Sequence, residues 1–133
     1  MEMLVDFPGG ARVDAHFQGF TVPTDQPPLA SAPTPFDLFL ASIATCAGIY
    51  VLGFCQKRGL STTGIQIIQR AHSNPASGMI EQIDIEIHVP PGFPEKYLDS
   101  LIRSAELCKV KKHLEQPPVF NVTTKVELTH QLN

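Results

Sequence analysis

A long apolar run dominates the pattern of hydrophobic and polar positions in this chain. Residues 38–55 carry no charge. A proline-led capping-box pattern precedes the run, made of Thr34, Pro35 and Asp37. A basic helix end with a glycine follows it, made of Lys57, Arg58 and Gly59. The pattern predicts one helix over residues 35–58, with Cys46 near its middle.

This predicted helix is apolar on every face, which is typical of a fully buried helix or of a membrane span. Its uncharged length reaches only the lower limit for a span. Small and polar residues dilute it, namely Ser42, Thr45, Gly48 and Gly53. We therefore interpret it as a core helix of a soluble protein. A chain of this length makes roughly one sheet of typical size, which covers one side of the helix. A second copy of the chain is the simplest cover for the other side, so we expect a homodimer.

The rest of the chain alternates between strand-like and helix-like patterns. Strands are predicted at residues 3–7, 11–17, 20–22, 65–71, 79–89 and 119–128. Residues 65–71 and 79–89 flank a strong turn cluster and should form an antiparallel hairpin. An apolar stripe predicts a second helix after Pro94, which could continue through Leu114. This order predicts an α+β fold with a mostly antiparallel sheet and a single domain over residues 1–133.

Composition narrows the class of protein. The 133 residues carry a net charge of −3 with a pI of about 5.9, which does not favour nucleic acid or an acidic membrane as a partner. Residues 1–6 are too acidic and too short for a signal peptide. Three widely spaced cysteines do not form a disulfide framework. We therefore expect a cytoplasmic protein.

Cys46 is the first candidate for chemistry, although a free cysteine often packs as a small hydrophobe. A reactive thiol must ionise, and burial opposes ionisation. Cys46 is also too far along its own helix for that helix dipole to help. A nucleophilic Cys46 therefore needs a cation from elsewhere, and the sequence leaves four candidates open: Arg12, Arg70, Lys111 and Lys112.

Cys108 is the second candidate because it continues the apolar stripe of the second helix, which is formed by Leu98, Leu101, Ile102 and Ala105. It should face inward, where it could meet Cys46. The basic residues that follow it either complement a helix end or lower a thiol pKa, and the sequence does not separate these roles. Cys55 falls on the opposite side of the first helix from Cys46 and is interpreted as structural.

Other kinds of site find little support in the sequence. Cys46, Cys108 and His113 match no standard zinc spacing, so we predict no metal site. Gly9 and Gly10 lie in a hairpin turn, without the strand–loop–helix context of a phosphate-binding loop. We predict no cofactor.

The motifs around the two candidate cysteines resemble those of the OsmC-like family. Residues 33–46 read Pro-Thr-Pro-Phe-Asp-Leu-Phe-Leu-Ala-Ser-Ile-Ala-Thr-Cys and resemble its hallmark helix, Pro-x-[Glu/Asp]-Leu-Leu-x-Ala-x-x-x-x-Cys. Cys108-Lys109-Val110 resembles its second signature, a Cys-Pro-Val-like segment. The resemblance implies an intertwined homodimer, in which two long Cys-bearing helices lie between sheets built from both chains.

The resemblance also implies a chemistry, because studied members of the family include organic hydroperoxide reductases. Cys46 would be the peroxidatic thiolate, Cys108 would resolve it to a disulfide, and a dithiol reductant of lipoyl or thioredoxin type would restore both thiols. The hydroperoxide would be the substrate, in oxidative-stress defence. The alternative is a non-catalytic binding or redox-sensing protein that uses the apolar cleft at the dimer core.

This sequence departs from the reductase pattern at two places, and a third feature is an arginine of the N-terminal hairpin. The reductase branch has a Glu directly after the hallmark proline, whereas Phe36 stands here and the acid follows as Asp37. Asp37 is a candidate catalytic residue and also has a capping role. The family takes its activating Arg from the N-terminal hairpin, where Arg12 is the only arginine. Lys109 replaces the proline after the second cysteine.

Overall fold

The structure, a computed structural model, describes residues 1–28 and 30–127. The described residues form two antiparallel sheets and three α-helices. The elements in order are β1 (Leu4–Gly9), β2 (Arg12–Phe17), β3 (Phe20–Thr24), α1 (Pro35–Lys57), β4 (Gln66–Ser73), β5 (Ile80–His88), a 3₁₀ turn (Glu95–Tyr97), α2 (Leu98–Ala105) and α3 (Lys109–Glu115). The α+β class with antiparallel sheets is confirmed, although two small sheets replace the single sheet that we expected.

The long helix α1 begins and ends where its boundary signals place it. The Asp37 N–H donates to Thr34 Oγ1 at 3.1 Å, and the Thr34 N–H donates to Asp37 Oδ2 at 3.0 Å, so the capping box is formed. At the other end the Leu60 N–H donates to the Cys55 carbonyl at 2.9 Å, around Gly59 with a φ of 65°. This left-handed turn is the Schellman type of helix end.

The N-terminal strands form a meander in the order β1-β2-β3. The β2–β3 turn is two residues long, Gln18 and Gly19, and both have positive φ. Such a turn matches the right-handed twist of the flanking strands. Arg12 lies at the start of β2, and its guanidinium binds the buried Asp14 carboxylate at 2.7 Å.

The β4–β5 hairpin is confirmed as predicted, with Ile67 opposite Ile87 and Arg70 opposite Asp84. Its polar face carries cross-strand hydrogen bonds. Side-chain hydrogen bonds from Gln82 and then His72 hold the pKa of Asp84 below its ordinary value. Those from His88 and then Arg70 do the same for the pKa of Glu86. The apolar face of the hairpin lies toward α1.

The core lies between α1, α2 and this hairpin. Val51, Phe54, Cys55 and Leu101 form its buried cluster. The half-buried residues packed around the cluster include Leu60, Ile65, Ile67, Ile87, Phe93 and Tyr97. This packing fixes α1 against α2 and so fixes the distance between the two cysteine-bearing segments.

The second predicted helix is interrupted, which differs from the continuous helix through Leu114. After α2 the chain turns at residues 106–108, and Cys108 adopts an extended backbone with φ −44° and ψ 121°. Cys108 is the N-cap of the separate helix α3, and the Lys112 N–H donates to its carbonyl at 3.1 Å. The expectation that Cys108 faces inward is confirmed, since it is 1% exposed.

The predicted strand at residues 119–128 is wrong over 119–127, where the structure has no strand; Leu128 lies outside the described residues. The segment is apolar but exposed: Phe120 is 82% and Val122 is 93% exposed. A strand forms only when a neighbour accepts its backbone hydrogen bonds, and the described part of this single chain offers it none.

One side of α1 is also uncovered in the single chain. Ile49 and Leu52, which share this side, are 65% and 42% exposed. By length and composition alone α1 could cross a membrane, but this is weak evidence because the core helix of a soluble protein passes the same test. The exposed side is the one for which we expected a second copy.

Candidate thiol site

The fold brings Cys46 and Cys108 together. Cys46 lies in the middle of α1 and is partly exposed, while Cys108 is buried at the start of α3. Each thiol lies close enough to the other to shift its pKa. Both are free. The position of α3 against α1 therefore creates a pair of adjacent thiols from cysteines 62 residues apart in the chain.

The surroundings of Cys46 favour its thiolate. Burial raises the pKa of Cys46 and is the largest single influence, but several others together outweigh it. In decreasing order they are the N–H of Val110, the Cys108 thiol, the N–H of Lys109 and the positive charge of Lys109. The pKa of Cys46 therefore lies below its ordinary value. This is expected, because Cys46 of α1 lies beside the N-terminus of another helix, α3.

The surroundings of Cys108 have the opposite effect. Burial raises the pKa of Cys108, the N–H of Lys111 lowers it, and the adjacent Cys46 raises it again. The Lys111 N–H donates to Cys108 Sγ at 3.4 Å. The net effect is a pKa of Cys108 above its ordinary value. One member of the pair is thus prepared as a nucleophile and the other as a thiol.

The cation that acts on Cys46 is Lys109, which was not among the four candidates from the sequence. Arg70 is paired with Glu86 at 2.9 Å, and Arg12 with Asp14 at 2.7 Å. Arg12 Nε and Asp14 Oδ1 are buried without hydrogen bonds. The assignment of Arg12 as the activating residue stays a prediction.

Asp37 lies at the start of α1, nine residues before Cys46. It is exposed and its carboxylate is engaged in the capping box. The structure therefore accounts for Asp37 without a catalytic role, and its assignment as a site residue stays a prediction.

Cys55 is fully buried in the core, and burial raises the pKa of its thiol, against an opposing effect of the Arg58 charge. Its surroundings are those of a packing residue. Among residues 1–28 and 30–127, no cluster of three His, Cys, Asp or Glu side chains could hold a metal ion.

An apolar cavity of about 770 Å³ lies beside Cys108. Cys108 lines it together with apolar side chains from α1, β5 and α2, among them Ile43, Ala47, Ile87 and Leu101. Lys111 and Leu114 of α3 complete its wall. A cavity of this size and lining suits a small apolar organic molecule.

Sequence comparison gives the family. Residues 28–123 match the family profile of OsmC-like proteins. The chain belongs to the OsmC-like family. The resemblance of its two cysteine motifs is thereby confirmed at the level of the family. No curated protein sequence matches the chain.

Solved structures share the OsmC-like fold of this chain. A protein of Psychrobacter arcticus 273-4, provisionally assigned to the osmotic stress and detoxification response, has a TM-score of 0.69 at 21% identity, over 83% of this chain and 85% of that one. A hypothetical protein from Aquifex aeolicus VF5 has a TM-score of 0.71 at 18% identity, over 87% of each chain. An OsmC-like protein from Mycoplasma pneumoniae has a TM-score of 0.70 at 11% identity, over 87% of each chain. At these identities the likeness establishes the fold alone.

Proposed function

We propose that this OsmC-like protein is a thiol-dependent peroxidase that reduces organic hydroperoxides. Cys46 is the peroxidatic thiolate and Cys108 the resolving thiol. The observation that carries the proposal is the placement of two free thiols side by side, Cys46 on α1 and Cys108 at the start of α3. Their surroundings lower the pKa of Cys46 and raise that of Cys108. Groups tuned apart in this way are typical of catalytic pairs.

The reaction follows from the roles of the two sulfurs. The Cys46 thiolate attacks the outer oxygen of the hydroperoxide, the O–O bond breaks, and the alcohol leaves after taking a proton. Cys46 becomes a sulfenic acid. The Cys108 sulfur then attacks the Cys46 sulfur, and water leaves as the disulfide forms. A dithiol reductant of lipoyl or thioredoxin type returns two electrons by thiol–disulfide exchange. The adjacent apolar cavity supports an organic substrate over hydrogen peroxide.

The decisive experiment measures consumption of an organic hydroperoxide with excess dithiol, with hydrogen peroxide as a parallel substrate. Cys46→Ser should abolish turnover. Cys55→Ala is the matched control, because it removes a thiol that lies on the other side of α1, and it should keep turnover. Without dithiol, Cys108→Ser should still consume one equivalent of hydroperoxide and should stop at the sulfenic acid. Turnover that persists in Cys46→Ser contradicts the proposal.

The proposal includes a homodimer in the cytoplasm. Two exposed apolar surfaces support the dimer: one side of α1, and residues 119–126 with a strand-like sequence and no neighbour among the described residues. A second copy that covered both would complete the strand. Analytical ultracentrifugation should give twice the chain mass of 14.6 kDa, and a stable monomer with peroxidase activity contradicts this part of the proposal.

A non-catalytic binding or redox-sensing protein is the second candidate. Phe36 in place of the Glu of the reductase branch, and the engagement of Arg12 by Asp14, favour it. In its binding-only form this candidate predicts an ordinary or raised pKa of Cys46, so alkylation at neutral pH should be slow. Fast alkylation without hydroperoxide turnover would leave redox sensing as the function.

A further inference from the structure

We infer that the thiol pair is the N-terminal cap of α3, and that oxidation to the disulfide releases this cap and loosens the helix. The inference concerns the regulation of the proposed site and rests on its thiol chemistry. It makes the cavity wall responsive to the redox state of the two cysteines.

The first step in the argument is the cap itself. A helix leaves its first N–H groups without intrahelical partners. In α3 the Lys111 N–H donates to Cys108 Sγ at 3.4 Å, and Cys108 holds the backbone position of the N-cap. The N–H groups of Lys109 and Val110 lie close enough to Cys46 to lower the pKa of its thiol. Cys108 thus holds the place that Ser, Thr, Asp or Asn takes in most helices, and Cys46 lies beside the same free donors.

The second step is the dependence of α3 on this cap. The helix is seven residues long and has no buried residue. Helices this short are marginal without tertiary packing, because few hydrogen bonds offset the cost of nucleation. Most of what holds the first turn of α3 in place is therefore its contact with the two sulfurs.

The third step is what oxidation does. Disulfide formation removes two electrons from the pair and the one proton that Cys108 carries, since Cys46 is already a thiolate. The thiolate charge that attracts the N–H groups disappears, and the two sulfurs move to bonding distance of each other. Neutral disulfide sulfurs are weak acceptors, so the first turn of α3 loses its partners. Lys111 and Leu114 then leave the cavity wall, which exposes the buried Cys108 side of the disulfide to the reductant.

The test is hydrogen exchange of the amides at residues 112–115, with α2 as the internal reference. It uses the full chain carrying Cys55→Ala, so that only Cys46 and Cys108 can react. Diamide serves as oxidant, because it takes up the two electrons and two protons as the hydrazine and does not depend on peroxidase activity. Loss of a helix cap shifts the opening equilibrium by about fivefold. Exchange in α3 should accelerate by that factor on oxidation, while α2 stays unchanged.

Two variants separate the cap from the redox chemistry. Cys108→Ser keeps a cap and cannot form the disulfide, so α3 should stay protected with and without diamide. Cys108→Ala removes the cap, so α3 should exchange rapidly even when reduced. The inference is overturned if α3 exchanges at the same rate in both variants, or at the same rate in the reduced and the oxidised protein. It is also overturned if a thiol count shows that no disulfide forms with diamide. A disulfide that forms with diamide but not with a hydroperoxide overturns the proposed peroxidase and leaves the switch standing.

Discussion

The amide and the charge of Lys109 offer a sharp test of how Cys46 is ionised. Lys109 is the first residue of α3, and Cys108 before it has the extended backbone that precedes proline. Proline is favoured at a first helical position. Lys109→Pro should therefore remove one N–H and one charge without disturbing the helix. Lys109→Gln is the matched control, because it removes the charge and keeps the N–H.

The size of the effect follows from the partial exposure of Cys46. A hydrogen bond to a charged group is worth about 1.5 kcal/mol at the lower end of its range, or about twelvefold in the thiolate population below the pKa. The exposed charge of Lys109 changes the same thiolate population by about twofold. A more basic thiolate is intrinsically more nucleophilic, so the alkylation rate of the Pro variant should be only about fourfold below that of the Gln variant.

The assay is iodoacetamide labelling of Cys46 between pH 5 and 9, followed by mass spectrometry in a Cys55→Ala background. The rate should rise with pH through the lowered pKa of Cys46, and the midpoint should move upward from wild type to Lys109→Gln to Lys109→Pro. Cys108 should be labelled only at higher pH. Identical profiles for the Gln and Pro variants would refute the role of the N–H group.

Three further predictions concern stability and the remaining site residue. Leu101→Ala empties a fully buried position and should lower the free energy of unfolding by about 3 kcal/mol in urea titration; a loss below about 1 kcal/mol would contradict the core assignment. Asp37→Asn keeps an acceptor for the capping box and should keep turnover, whereas lost turnover at unchanged stability would make Asp37 catalytic. Asp84 and Glu86 have lowered pKa values in the folded protein. Their ionised forms therefore stabilise the fold at a pH above the unfolded pKa values. This contribution is lost as the pH falls through the folded pKa values. Acid titration of Asp84→Asn should show a smaller loss of stability between pH 5 and 2.

The elements with local signals were predictable from the sequence. The α1 boundaries follow from a capping box and a helix-ending glycine, which act through neighbouring residues. The β4–β5 hairpin follows from alternation around a turn cluster. The break before α3 did not follow, because the apolar stripe continues through it and cysteine is not a common N-cap residue. The prediction of a strand at residues 119–127 was wrong because the sequence pattern indicates only that a segment suits a sheet. It does not indicate that a neighbouring strand is present.

In the candidate site, too, some features were predictable from the sequence and others were not. The two cysteines were predictable, since the apolar stripe of the second helix placed Cys108 inward and the uncharged run placed Cys46 in a core helix. The N–H groups of Lys109 and Val110 that favour the Cys46 thiolate were not, because a backbone amide has no signature in the side-chain sequence. The charged residues after Cys108 gave the only available signal, and it indicated a positive potential at that helix end rather than a particular residue.

The exposed segment after α3 has a consequence for aggregation. Residues 119–124 are uncharged, free of proline and rich in valine, phenylalanine and threonine, a composition typical of segments that form cross-β fibrils. Pro117 and Pro118 precede them and Lys125 follows. Such flanking residues act as gatekeepers, because proline cannot donate to a growing ladder and stacked like charges repel. Lys125→Ala should therefore leave the folded protein intact and still shorten the lag before fibrils form in a dilute, partly unfolded sample.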